Sequence, residues 1–144
     1  MSLRRIGTDR VLFPDGSRRT LDGMTEQVHV LGNIVQYDQP VWEPLERAVG
    51  EDLMFAFMWM FEVETTDHRR FHAYKHRDTR QYLNIDHQGQ AYDYVGEKGG
   101  RDRYDVVPLA DALEVALGSW ERLRATPEEL ADARAAIDRA RERQ

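Results

Sequence analysis

Two histidines four residues apart, His72 and His76, have the residue type and the spacing of a possible metal site. On a helix, this spacing lets two imidazoles share one zinc ion. The alternation of apolar and polar residues around them predicts a strand instead, where residues four apart lie about 13 Å from each other, too far to share a metal. A third ligand would have to come from Asp78, Asp86 or His87, and the sequence does not select one. We therefore expect neither a metal nor another cofactor.

A second candidate site consists of seven aromatic, imidazole and amide side chains on three predicted strands. On each strand they occupy alternate positions, so those of one strand share a face. Whether the strands present them on one common face depends on register, which the sequence does not show. A common face would suit a flat ligand, a peptide or stacked bases. Alternatively, the rings only pack against a helix. The seven residues are His72, Tyr74, His76, Tyr82, Asn84, Tyr92 and Tyr94.

A basic cluster between residues 69 and 80 is the third candidate. Basic side chains next to aromatic ones are typical of proteins that bind single-stranded nucleic acid. Asp67 and Asp78 interrupt the cluster, however, and the chain has a formal net charge of −6. Charges at turns and strand edges also protect sheets from edge-to-edge pairing. Nucleic-acid binding thus stays an alternative that the composition does not favour. The cluster comprises Arg69, Arg70, Lys75, Arg77 and Arg80.

The sequence contains no motif that would identify the protein as an enzyme. The chain has no cysteine, which excludes thiolate nucleophiles, disulfides and Cys-ligated zinc or iron–sulfur clusters. Ser2, Ser17 and Ser119 do not lie in a nucleophile-elbow sequence, and the glycines of 96–100 lack the spacing of a phosphate loop. We assign no catalytic residue. A small enzyme with a site centred on the two histidines remains an alternative.

The elements that must position these residues lie mainly between residues 53 and 95. This stretch predicts an antiparallel meander of about four strands, which supplies most of the core. The strand predicted at 54–64 is apolar at both parities, which is typical of a strand covered on both faces. Either this strand is central in the sheet, or a partner subunit covers one of its faces, so a homodimer through the face of strand 54–63 is one of two expectations. The polar residues 96–103 predict a flexible connection before a short strand at 104–107.

Turn signals divide the N-terminal part of the chain. Residues 1–9 are expected to be a loose start, followed by a hairpin across 10–21 whose turn is Pro14-Asp15-Gly16. Gly32-Asn33 predicts a type II′ turn between strands 27–31 and 34–37. A helix across 24–36 is the competing interpretation, although Gly32 disfavours it.

Three helices are predicted. A short one spans about 40–49 and ends at Gly50. A second begins at Pro108 and carries an apolar stripe that extends to Leu123. Thr126, Pro127 and Glu129 form the pattern of a capping box, which starts a third helix that runs to about residue 141 and frays at its end.

Together these patterns predict an α+β protein. One domain, 1–144, has a mainly antiparallel sheet of about four to six strands, packed with one short helix and a C-terminal helix pair. MSLRRIGTDR lacks a signal-peptide core, and the longest apolar run is too short to cross a membrane, so we expect a cytoplasmic protein without membrane contact. The abundance of arginine over lysine indicates a bacterial protein. The favoured function is a non-enzymatic binding or accessory module that uses the face rich in tyrosine and histidine.

Overall fold

Residues 4–6, 10–12, 18–20, 26–36 and 38–143 are described in the computed structural model. The first three segments are strands β1 (Arg4–Ile6), β2 (Arg10–Leu12) and β3 (Arg18–Thr20), which form a small antiparallel sheet. β2 and β3 pair as the predicted hairpin requires. The expected loose start instead contains a strand. The predicted turn at 14–16 lies outside the described residues.

Six further strands form an antiparallel sheet that closes into a barrel. Each strand pairs with its neighbours in sequence, and the first also pairs with the last, so every strand of this sheet has two partners. The prediction of an α+β fold with a mainly antiparallel meander is confirmed. The strands are β4 (Gln27–Ile34), β5 (Phe57–Thr65), β6 (Arg70–His76), β7 (Tyr82–Ile85), β8 (Ala91–Lys98) and β9 (Arg101–Val107).

Strand β4 corrects the predicted hairpin at 27–37, and also its helical alternative. The strand runs without a turn through Gly32 and Asn33. A type II′ turn needs a positive φ at its first central residue, and Gly32 does not have one. Residues 27–29 pair with β9, whereas residues 30–34 pair with β5 after a register shift between Val30 and Gly32. A register shift of this kind bends a strand. β4 can therefore pair with β9 in its first half and with β5 in its second half, and this double pairing closes the barrel.

Strand β5 explains why its sequence is apolar at both parities. It starts at Phe57, because Met54 ends a helix rather than beginning a strand. A register shift between Trp59 and Phe61 reverses the side on which the following side chains lie. Phe57 therefore contacts the core under the helices, and Phe61 contacts the core inside the barrel. One chain accounts for both apolar faces, and the homodimer stays a prediction.

Residues 96–103 form a hairpin and not the predicted flexible connection. β8 continues to Lys98 and β9 begins at Arg101, so the connection consists of Gly99 and Gly100. Both glycines have positive φ, 64° and 81°. Two consecutive residues in this conformation are characteristic of the tight turn that matches the twist of antiparallel strands.

The helices cover the outer surface of the barrel. α1 (Glu43–Val49) and α2 (Glu51–Met54) meet at Gly50, and α3 (Leu109–Leu117) ends before Gly118, six residues earlier than its apolar stripe predicts. A short 3-10 turn follows at Trp120–Arg122. α4 (Pro127–Glu142) begins with the predicted capping box. Within the described segments, we find no helix with the length and apolar character needed to span a membrane.

Two separate cores result from this arrangement. One lies inside the barrel and the other between the barrel and the helices. The inner core contains Val28, Val30, Val63, Phe71, Tyr92, Tyr104 and Val106. The outer core includes Leu45, Leu53, Tyr74, Leu83, Ile85, Leu113 and Trp120. Because side chains alternate along each strand, neighbouring residues of β6 and β7 belong to different compartments.

Candidate functional site

The seven residues of the predicted Tyr/His face lie on two opposite faces of the sheet. The outer face, beneath the helices and Trp59, carries His72, Tyr74 and His76. The inner face carries Tyr82, Asn84, Tyr92 and Tyr94. The structure therefore brings together the four residues of β7 and β8, and it separates them from the three residues of β6.

His76 has a structural environment. Its ring is fully buried, and it makes edge-on contacts with Phe57 and Trp120 at 4.9 and 4.5 Å between centroids. Its Nδ1 accepts hydrogen bonds from the backbone N–H groups of Asp78 and Thr79, both at 3.1 Å. Burial lowers the pKa of His76 below its usual value, which favours the neutral form that can accept these bonds.

His72 and Tyr74 are also occupied. Trp59 donates its indole N–H to His72 Nδ1 at 3.1 Å, and burial lowers the pKa of this histidine. Tyr74 donates its hydroxyl to the carbonyl of Val41 at 2.6 Å, and burial raises the pKa of the phenol. Because His72 and His76 are 3% and 0% exposed, neither ring is open to a substrate. A histidine-centred catalytic site loses its geometric basis.

The basic cluster is divided between the two ends of strand β6. Arg69 contacts Glu26 and Asp67 at one end, where Arg70 also contacts Glu64. At the other end, Arg77 contacts Glu129 at 3.3 Å. About seven residues of strand, or roughly 23 Å, separate Arg70 from Arg77. These cations face local carboxylates, and the structure does not gather them into one basic surface.

Polar side chains close the end of the barrel where β6 begins. The Arg69 guanidinium lies 2.9 Å from Glu26 and 3.1 Å from Asp67. Nearby, Tyr92 donates its hydroxyl to Asp86 at 3.1 Å, and burial together with Asp86 raises the pKa of this phenol. Tyr92 thus belongs to a buried polar network, which fixes its ring under Phe71 at 4.2 Å.

The opposite end of the barrel opens into a cavity of about 420 Å³, which we call the barrel mouth. It forms where β7 and β8 separate, because their ladder contains two residue pairs and ends at Asn84 and Tyr92. Its volume falls within the usual range of small-molecule sites, about 300–1,000 Å³. The lining residues are Asn33, Phe61, Gln81, Tyr82, Asn84, Asp93, Tyr94, Asp102, Tyr104 and Val115.

Two pairs of aromatic rings form much of the wall. Phe61 and Tyr82 lie 6.3 Å apart between centroids, and Tyr94 meets Tyr104 edge-on at 5.4 Å. Tyr94 donates its hydroxyl to Asp102 at 2.9 Å, and this bond raises the pKa of Tyr94. Burial and the nearby Asp102 raise the pKa of Tyr104 to about 12. Both phenols therefore remain protonated at neutral pH.

Asn84 lines the mouth where the β7–β8 ladder ends, and it carries an unpaired acceptor. Its Nδ2 donates to the backbone carbonyl of Tyr92 at 3.0 Å, which identifies this atom as the nitrogen because a carbonyl only accepts. Its Oδ1 has no hydrogen-bond partner among the described residues, even though the residue is buried, with 4% of its surface exposed. A buried polar atom without a partner costs about 1–3 kcal/mol.

Sequence reasoning identified Tyr82, Asn84 and Tyr94 but missed the β9 side of the mouth. Asp102 and Tyr104 alternate along β9 and both face the cavity. Gly99-Gly100 was the signal that could have revealed it, because two consecutive glycines are also typical of a hairpin turn. A hairpin there would have predicted a strand across 101–107, with Asp102 and Tyr104 on the same face. The sequence also provided no indication of Phe61 at this site, because the register shift between Trp59 and Phe61 leaves no mark in it.

Comparison with known proteins adds no information on the function of this site. No family model matches the chain, and neither a curated protein nor a solved structure shows significant similarity to it.

Proposed function

We propose that this protein is a non-enzymatic binding module that takes a small, flat ligand in the barrel mouth. The observation that carries the proposal is the 420 Å³ cavity with four aromatic side chains in its wall. Aromatic rings offer large apolar surfaces to a flat molecule, and a few polar groups then fix its orientation.

The exposure of the rings supports this assignment. Tyr94 and Tyr82 are 51% and 39% exposed, although both are large side chains near an inner core. A ligand between them would remove apolar surface from water, which stabilises a complex by about 25 cal/mol per Å² of buried area. In the wall Asp102 already accepts the hydroxyl of Tyr94, an arrangement that fixes a binding surface.

An NMR titration of the ¹⁵N-labelled protein tests the proposal with three related probes, phenethylamine, 2-phenylethanol and phenylacetate. We expect at least one probe to shift the amide signals of Asn84, Tyr94 and Asp102, with a dissociation constant of about 1 mM or lower. Tyr94→Ala should weaken that binding, because it removes one ring of the wall. If no probe shifts these signals at about 10 mM, the proposal is wrong.

A matched control separates loss of the site from a general effect of removing an exposed ring. Phe55 is 70% exposed and is not part of the mouth. Phe55→Ala should leave the titration unchanged. Equal weakening by Phe55→Ala and Tyr94→Ala would also contradict binding at the mouth.

A further inference from the structure

The charges of the barrel mouth select among possible ligands. Two carboxylates, Asp93 and Asp102, belong to its lining. The described residues of the lining include no lysine, arginine or histidine. In a partly enclosed cavity, such an excess of negative charge attracts cations and repels anions more strongly than the same charges on an open surface.

The aromatic wall favours the same sign of charge. The face of a phenol ring attracts cations through its quadrupole. Tyr82 already shows this preference within the chain, since Lys75 Nζ lies 5.7 Å from the centroid of its ring. A ligand cation near Tyr94 or Tyr104 would combine this attraction with that of Asp102, which accepts a hydrogen bond from Tyr94.

Hydrogen bonding narrows the type of cation. The carboxylate of Asp102 has acceptor capacity beyond the one bond from Tyr94. This capacity requires an N–H or O–H donor. A quaternary ammonium ion would match the charge but could not donate a hydrogen bond to Asp102.

On the basis of the proposed function, we infer that the ligand of the barrel mouth is a protonated amine attached to a flat apolar body. The flat body lies between the aromatic rings of the wall. The ammonium group faces Asp102 and donates a hydrogen bond to its carboxylate. The negative charge of the lining disfavours phenylacetate-like anions as ligands.

The three probes of the titration differ in charge on the same ring, so their order of affinity tests the inference. Phenethylamine is a cation at neutral pH, 2-phenylethanol is neutral and phenylacetate is an anion. We expect phenethylamine to bind about tenfold more tightly than 2-phenylethanol, which corresponds to about 1.4 kcal/mol. Phenylacetate should bind most weakly. Equal affinities for amine and alcohol would overturn the inference while leaving binding at the mouth intact.

Two substitutions test the role of the carboxylate. Asp102→Asn should lower the affinity for phenethylamine about three- to tenfold and leave that for 2-phenylethanol nearly unchanged. Asp138→Asn makes the same change in net charge on the exposed surface of α4, and should have no effect. If Asp102→Asn does not fold, the order of affinity of the three probes for the wild-type protein carries the test. An unchanged preference for the amine in the folded variant would overturn the inference.

A trimethylated probe tests the donor requirement separately. Phenethyltrimethylammonium keeps the charge and the ring of phenethylamine but has no N–H group. We expect it to bind at least threefold more weakly, because it cannot donate a hydrogen bond to Asp102. Affinity equal to that of phenethylamine would refute the requirement for an N–H donor in the ligand. The preference for cations would then be tested by the Asp102→Asn variant alone. If none of the four probes binds, the proposed function itself fails.

Discussion

Removal of the His76 imidazole tests how the loop between β6 and β7 is held. The backbone N–H groups of Asp78 and Thr79 both donate to His76 Nδ1. His76→Leu keeps an apolar side chain between Phe57 and Trp120 but removes the acceptor. Each of these partly buried N–H groups costs about 1–3 kcal/mol when it is left unpaired, but the substitution also removes the buried Nε2 of His76, which has no hydrogen-bond partner among the described residues. We therefore expect the free energy of unfolding to fall by about 1–4 kcal/mol.

The pH dependence of the unfolding free energy provides a second, independent test of the role of His76. Burial is the largest cause that lowers the pKa of His76, with a smaller contribution from Arg77, while Asp78 and Glu129 act in the opposite direction. As the pH falls through the ordinary imidazole pKa of about 6.5, the unfolded chain therefore binds more protons than the folded protein. The stabilising contribution of neutral His76 is complete above that pH and is lost as the pH falls below it. The slope cannot exceed about 1.4 kcal/mol per pH unit for one histidine.

Urea unfolding at about pH 7.5 and about pH 5.5 measures both effects. The wild-type protein should lose stability between the two conditions, and His76→Leu should lose less, because it lacks the contribution of His76 while that of His72 remains. His76→Asn places an amide oxygen where Nδ1 lies and should recover part of the stability at neutral pH without restoring the slope. His29→Gln serves as a control on β4. A His76→Leu variant within about 1 kcal/mol of wild type, or with an unchanged slope, would refute the reasoning.

Three further substitutions test other parts of the fold by urea unfolding. Phe71→Ala removes a fully buried ring stacked on Tyr92, and should cost about 3–5 kcal/mol; a cost below about 1 kcal/mol would contradict a packed inner core. Gly50→Ala places a side chain at φ 87° and ψ 162°, a conformation nearly restricted to glycine, with an expected cost of about 1–3 kcal/mol. Thr126→Ala removes the capping box of α4 and should cost about 1 kcal/mol, whereas an unchanged midpoint would show that the cap contributes nothing.

Elements with a local physical cause could be predicted from the sequence. The capping box formed because Thr126 and Glu129 satisfy each other's neighbouring N–H groups without help from the rest of the chain. Alternating polarity likewise located β6 and β7. Both signals depend on residues close in sequence, so they do not require knowledge of the tertiary structure.

The closure of the sheet could not be predicted, because it depends on pairing between residues far apart in sequence. Val28 faces Tyr104 only because β4 changes partner within its own length. The register shift beside Phe61 has the same character, since a bulge is set by the partner strand and not by local propensity. Side-chain parity therefore predicted which residues of one strand share a face, but not which faces form the interior.

The candidate site shows this limit most clearly. Tyr82 and Tyr94 were selected because each shares a parity with another candidate residue of its own predicted strand, which is visible in the sequence. The buried position of His72 and His76 was not visible, because the helices that cover them lie elsewhere in the chain. Sequence reasoning thus identified the ring-bearing strands correctly and could not separate their exposed face from their covered face.

The barrel mouth forms because the ladder between β7 and β8 is shorter than either strand. β7 begins at Tyr82, but Tyr82 and Leu83 pair with β6 and not with β8, since the ladder with β8 ends at Asn84 and Tyr92. On its other side β8 stays paired with β9 as far as Lys98. The wall is therefore continuous from β8 to β9 but interrupted between β7 and β8, and Tyr82 and Tyr94 both line the cavity there. Pairing of Tyr82 and Leu83 with β8 would complete the ladder and narrow the cavity, so the separation of these two strands, more than any single side chain, is what keeps this end of the barrel open.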